Sequence, residues 1–245
     1  MKKIILVTFL SFFISSISYS QSKLPECKPT DKVLYHNCYG KKFYGRSGEY
    51  YEAEFKNNTP VGEIKFSSGD KYVGGFKDNG WYHGKGTYYH KSGSIFTGEF
   101  KNGKRHGAGT NNLFDGRKII GEWKDGELLK GEMIFPNGAI YKGEFKEGLP
   151  NGSGTYTHKD GKKEIGNFKD LSLDGKGKQF LANGQILYDG EFKEGLWEGK
   201  GTLYLPEGGT YVGEFKNKLP DGKGTRTSSD GRKLSGQWKE GRFIE

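Results

Sequence analysis

Aliphatic side chains, cysteine and proline are all scarce in this chain. Only 32% of its 245 residues are hydrophobic, and it has two cysteines, two methionines and seven prolines. Mean hydropathy is −0.80. After residue 20 no apolar run is long enough to cross a bilayer as a helix. Two cysteines do not complete a four-ligand zinc site. Such numbers ordinarily point to disorder, but disordered chains are also poor in aromatics. Here 4 Trp, 15 Tyr and 17 Phe stand beside 41 glycines. Rings and bare backbone take the place of a compact aliphatic core.

The arrangement of those rings is clearest at residues 141–161, YKGEFKEGLPNGSGTYTHKDG. Tyr141, Gly143 and Phe145 alternate with Lys142, Glu144 and Lys146, which predicts a strand with one aromatic-glycine face and one charged face. A turn follows, then a second strand in which Gly152, Gly154 and Tyr156 restore the first face. Asp160-Gly161 turns the chain into the next copy. The glycine inside the aromatic pair recurs at Gly74, Gly98, Gly121, Gly143, Gly166, Gly190, Gly213 and Gly236, at intervals of 22 to 24 residues. A degraded first copy has Ala53 in that slot, between Tyr51 and Phe55. Fixed self-similarity at this period marks a repeat architecture. Each ring is expected over the glycines of neighbouring strands, where no Cβ blocks it. Cross-strand aromatic pairs contribute about 0.2–1 kcal/mol each.

Two copies carry a family resemblance most clearly. Tyr211-Val212-Gly213-Glu214-Phe215-Lys216 with Asp221-Gly222-Lys223-Gly224-Thr225 resembles the MORN repeat (membrane occupation and recognition nexus). So does Phe96-Thr97-Gly98-Glu99-Phe100-Lys101 with His106-Gly107-Ala108-Gly109-Thr110. The resemblance covers residues 51–245. It implies an all-β fold, an elongated single-layer antiparallel sheet of about eight tandem β-hairpin repeats after a degenerate first one. It also implies binding or scaffolding rather than catalysis. The departures are local: Ala53 for Gly, Gly75 for Glu, Lys130-Gly131-Glu132 where Gly-x-Gly is expected, and Leu171 where a turn Gly belongs. At a strand spacing of about 4.8 Å, eight copies make a ribbon on the order of 80 Å long. The last copy is half a hairpin, and Lys239, Arg242 and Glu245 blunt its edge.

Residues 1–20 are expected to be a signal peptide. Lys2 and Lys3 precede an apolar run from Ile4 to Ile14, and Ser18 and Ser20 are small residues placed for cleavage before Gln21. The competing reading, a transmembrane anchor, suits a longer run. An acylated lipoprotein is disfavoured because Leu24-Pro25-Glu26 lacks the small residues expected before such a cysteine. The pattern places the protein outside the cytoplasm of a bacterium, in the periplasm, at the cell surface or secreted. In that setting Cys27 and Cys38 read as a disulfide. A metal site with His36 is the alternative, short of a tetrahedral set. Residues 21–50 are thus expected to cap the array at 51–245, and they resemble the leader before many bacterial MORN arrays.

Two surfaces are candidates for contact. Net charge is +9, or +7 once Lys2 and Lys3 leave with the signal, since residues 1–20 hold no acid. Lysine follows the second aromatic in nearly every copy, giving a column of Lys56, Lys77, Lys101, Lys124, Lys146, Lys169, Lys193, Lys216 and Lys239. Glu99, Glu122, Glu144, Glu191 and Glu214 stand two residues back on the same face. The column reads either as a self-neutralising, solvated ladder or as a surface for anionic lipid or polyanion. On the aromatic face, Trp81, Trp123, Trp197, Trp238, Tyr72, Tyr141, Tyr188 and Tyr211 are either mutual staples or contact residues for a protein partner, a second copy included. No nucleic-acid partner is expected.

Catalytic, cofactor and metal motifs do not stand out. His83 and His106 occupy a turn-to-strand position suited to capping a hairpin, with a ligand role as the alternative. Gly84-Lys85-Gly86 and Gly175-Lys176-Gly177-Lys178 open no helix after a parallel strand, as a phosphate loop requires. The acids follow the repeat rather than pairing in a pocket. The sequence therefore predicts a non-enzymatic interaction protein.

Overall fold

The computed structural model describes residues 24–27, 37–44, 49–78 and 80–245. The expected signal segment and His36 lie outside them. Among the described residues there is no helix, and nineteen strands form one antiparallel sheet. These are β1 (Cys38–Tyr44), β2 (Glu49–Lys56), β3 (Thr59–Phe66), β4 (Lys71–Phe76), β5 (Tyr82–Tyr89), β6 (Ile95–Lys101), β7 (Lys104–Asn112), β8 (Lys118–Lys124) and β9 (Glu127–Ile134). They continue as β10 (Ile140–Lys146), β11 (Leu149–Thr157), β12 (Lys163–Lys169), β13 (Ser172–Phe180), β14 (Ile186–Lys193), β15 (Leu196–Tyr204), β16 (Gly209–Lys216), β17 (Leu219–Ser228), β18 (Lys233–Lys239) and β19 (Arg242–Phe243). Each strand pairs with the next in sequence, so the sheet is a meander of hairpins from β2 onward. The hairpin period and the single sheet agree with the sequence expectation.

One row of contacts sets the register. Gly143 lies opposite Gly131 and Gly154, Gly154 opposite Gly166, Gly190 opposite Gly177 and Gly201, and Gly213 opposite Gly201 and Gly224. The row runs unbroken from Gly62 to Gly236. A Cβ on Gly143 would stand 2.6 Å from the Cα of Gly154. At Gly143 the strands approach too closely for a side chain, and a slip by one residue would drive ring faces into backbone.

Beyond the glycine row, each hairpin bulges. Gly143 pairs with Gly154 and Phe145 with Pro150, so Glu144 alone faces residues 151–153. Gly152 takes φ +95° to make the turn-out possible. The Glu144 carboxylate holds the bulge by accepting from the Ser153 N–H (2.8 Å), as Glu214 does from Lys223 (3.0 Å). In the hairpin of β8 and β9 one bulge residue is missing: Glu122 faces only Leu129 and Lys130. There the Lys130 ammonium, 3.3 Å away, pairs with Glu122, while Gly131 keeps its place in the row.

Tight two-residue turns close the hairpins with φ positive at both centres, as at Asn102 (51°) and Gly103 (79°). Leu171 adopts φ 73° in the same turn position. A side chain there costs about 1–2 kcal/mol relative to the right-handed region. Leu171→Gly is therefore expected to raise stability by about 0.5–1 kcal/mol after the entropy of the added glycine is counted. A thermal melt in which Leu171→Gly lowers the midpoint would contradict this reading of the turn.

The N-terminal end is pinned differently. Cys27 is bonded to Cys38, and a parallel bridge places Glu26 beside Tyr39. The Cys27 N–H donates to the Tyr39 carbonyl (2.7 Å) and the Tyr39 N–H to that of Pro25 (2.9 Å). Cys27, Cys38, Ala53, Phe55 and Ile64 form a small core of their own.

Candidate interaction surfaces

The aromatic face is built from two ring positions per hairpin. The first-slot tyrosine lies across the glycine row: a Cβ on Gly154 would meet Tyr141 Cε2 at 2.6 Å. Its hydroxyl donates to the carbonyl of the bulge residue, Tyr72 to Gly75 (3.1 Å), Tyr141 to Glu144 (2.9 Å), Tyr188 to Glu191 (3.2 Å) and Tyr211 to Glu214 (3.3 Å). Each ring then meets the second ring of its own hairpin and that of the next, edge to face. Tyr141 lies 5.3 Å from Phe145 and 5.1 Å from Phe168, and Tyr188 lies 5.2 Å from Phe192 and 5.0 Å from Phe215. Tyr211 bridges Phe215 and Trp238 in the same way. Edge-to-face pairs of this kind are worth about 0.5–1.5 kcal/mol each beyond burial.

A third position, invisible to the repeat pattern, covers the ladder. Tyr82 stacks on Tyr72 at 4.0 Å, Trp197 on Tyr188 at 4.5 Å, and the Arg105 guanidinium sits 4.7 Å from the Phe96 ring centre. Pro60 and Pro150 occupy the same position, fully buried. Where the first slot holds Ile119 or Glu164, Leu128 and Leu173 lie over Gly121 and Gly166 instead. These residues share no chemistry, so sequence reasoning missed their common role.

This packing decides the fate of the expected contact residues. Tyr72, Tyr141 and Tyr188 expose nothing, and Tyr211, Trp123 and Trp238 are buried. Trp197 is half-buried, with its indole N–H donated to Gln179 Oε1 (2.6 Å). Seven of the eight aromatics are thus staples whose surfaces are spent inside the sheet. Trp81 differs, with 51% of its surface exposed beside an apolar hollow of about 250 Å³ lined by Tyr51, Ile64, Phe66 and Tyr82.

Burial also sets the titration of the tyrosines. It pushes the phenols of Tyr72, Tyr141 and Tyr211 up to about 12, and Tyr188 upward too. A raised phenol favours the folded state while it stays protonated. That contribution is whole below pH 10, the ordinary value, and is lost as pH climbs through 12. Phenolate absorbance from these rings is expected to rise only together with loss of the β-sheet circular dichroism signal. Their titration within an intact sheet would contradict the burial.

One break in the ladder is polar. Glu164 stands where other hairpins have a ring, and Gln179 Nε2 donates to its Oε1 (3.0 Å) while His158 Nε2 lies 3.3 Å away. Lys163-Glu164-Ile165-Gly166 carried that signal in the sequence. His106 Nδ1 stands 3.9 Å from Asp125 in the next turn, and the equivalent Asp174, Glu198 and Asp221 accept turn N–H groups of the following hairpin. Among the described residues no cluster of three metal-ligating side chains occurs.

The opposite face is open. Val73, Ile120, Ile165 and Val212 are exposed on it, with Thr87 and Thr97 hydroxyls 3.2 Å apart between them. Lys77, Lys101, Lys124, Lys146, Lys169, Lys193 and Lys216 are all exposed along its margin at the tight turns. Lys77 donates to Asn102 (2.9 Å), and Lys239 pairs with Asp221 (3.0 Å). The glutamates two residues back face lysines across the strand, Glu99 opposite Lys85, Glu191 opposite Lys176 and Glu214 opposite Lys200.

The MORN repeat family model matches residues 72–95, 96–110, 141–163, 188–210 and 211–231. The stretches between, 111–140 and 164–187, contain the hairpins whose first slot is Ile119 or Glu164. Among curated proteins no relative matches the chain. Solved structures with similarity include a point mutant of the TCP10 domain of Danio rerio CPAP, at 14% identity and a TM-score of 0.30, covering 81% of this chain and 99% of that one. The wild-type domain in complex with a peptide of Danio rerio STIL follows at 13% identity and 0.28, covering 81% and 98%. Five repeat matches, set on hairpins of one register and one ring geometry, make this chain a member of the MORN-repeat family.

Proposed function

We propose that the chain is a non-catalytic scaffold, exported from a bacterial cell, whose sheet mediates contact with another protein or with a second copy of itself. The carrying observation is the division between faces: one face is consumed by its own rings, and the other presents small β-branched residues and charge to solvent. The disulfide supports an oxidising compartment, in keeping with a signal at 1–20, a cap at 21–50 and an array at 51–245. Chemical cross-linking of the full chain in its native compartment tests the reading, alongside light scattering across concentration. A cross-linked species is expected, and Val212→Arg, which leaves the fold intact by circular dichroism, is expected to remove it. A chain that stays monomeric and captures nothing contradicts the proposal.

A second reading rests on the unbroken exposure of the lysine column from Lys77 to Lys216. On that reading the column docks anionic phospholipid headgroups. Vesicle co-sedimentation across a salt series checks it, since binding indifferent to salt or lipid charge is not of this kind.

A further inference from the structure

The exposed margin is more specific than a basic surface. Across each tight turn the lysine pairs with the first residue of the returning strand: Lys146 with Leu149, Lys169 with Ser172, Lys193 with Leu196 and Lys216 with Leu219. Directly paired residues project from the same side of the sheet. The three leucines are 38–46% exposed, so the margin reads lysine, leucine, lysine, serine, lysine, leucine, lysine, leucine. Lysines therefore recur every second strand, about 9.6 Å apart.

The strip is also narrow. The turn residues Glu147, Asp170 and Glu194, all exposed, border it on the outer side, and on the inner side Glu191 and Glu214 alternate with Lys176 and Lys200. A bilayer offers a two-dimensional field of anionic groups, which would meet the acids of the turns along with the lysines. A thread one side chain wide meets the lysines alone. An extended chain in the polyproline II conformation repeats every three residues, about 9.3 Å, which matches the lysine period.

Building on the scaffold reading, we infer that this strip binds an acidic peptide in the polyproline II conformation, with a carboxylate at every third residue and apolar residues between. The carboxylates meet Lys146, Lys169, Lys193 and Lys216 in turn, and the intervening prolines or aliphatics lie on Leu149, Leu196 and Leu219. Four lysines correspond to a segment of about ten residues.

The test uses the purified full chain and a fluorescein-labelled Glu-Pro-Pro repeat about eighteen residues long, read by fluorescence polarisation. A control peptide of equal composition has its glutamates in one block. The periodic peptide is expected to bind at least about tenfold more tightly than the block peptide. The triple variant Lys146→Glu, Lys169→Glu, Lys193→Glu is expected to lose that binding, and Lys91→Glu, at the opposite margin, to keep it. Equal binding of both peptides would overturn the matched period and leave only charge. Capture on phosphatidylserine vesicles without peptide binding would overturn it in favour of lipid. Binding of neither, with the cross-linked species still formed, would end this inference and leave the scaffold reading standing.

Discussion

Replacing Tyr188 with alanine is expected to destabilise the array by about 3–5 kcal/mol. The ring exposes nothing, stacks on Trp197, meets Phe192 and Phe215 edge to face, and donates to the Glu191 carbonyl. Its removal opens a cavity on the glycine row and strands a carbonyl that the bulge has already taken out of the ladder. Each repeat contacts only its neighbours, so the loss should be local. Hydrogen exchange in Tyr188→Ala is expected to quicken in β14, β15 and β16 while β6 and β7 keep their protection. Uniform loss across the sheet would argue for a single cooperative core instead.

Reduction of the Cys27–Cys38 disulfide is expected to weaken the N-terminal end by about 3 kcal/mol, the chain-entropy cost of a loop this short. The segment at residues 24–27 is also held by two backbone hydrogen bonds with Tyr39 and by a share of the core around Phe55 and Ile64. The Cys27→Ser, Cys38→Ser variant should expose β1 and β2 to proteolysis first, with hairpins beyond β5 resisting as before. A variant as protease-resistant at β1 as the parent would show that the bridge only decorates an end already held.

The sequence shows most plainly what repeats in one letter. Glycine and ring spacing announce the hairpins, the face each ring takes, and the row that fixes register. Counts across a bulge are harder to see. Alternation alone places Glu144 beside Lys146 as a solvated ladder, whereas three residues opposite it turn the carboxylate into a hook for the Ser153 N–H. Nothing in composition relates Tyr82, Arg105, Leu128, Pro150 and Trp197, yet all cover the same slot, because a flat ring or a glycine row accepts any side chain that lies across it. The aromatics expected as candidate contacts follow the same logic. Those that repeat best are the ones the sheet uses for itself, and Trp81, which breaks the pattern, keeps its surface. Exposed lysines were legible from spacing; the leucines between them were not, since they belong to the returning strand.

The central claim is that rings settle on backbone because no Cβ stands beneath them, and a double-mutant cycle at Gly201 and Tyr188 tests it most directly. A Cβ on Gly201 would run into the Tyr188 phenol, with Cε2 at 2.7 Å. Gly201→Ala is expected to cost about 1–3 kcal/mol in the parent chain by overpacking. In the Tyr188→Ala background the same substitution should cost less than about 1 kcal/mol, because the clash is gone. An equal cost in both backgrounds would mean that the glycine serves the backbone alone and that the ring does not depend on it.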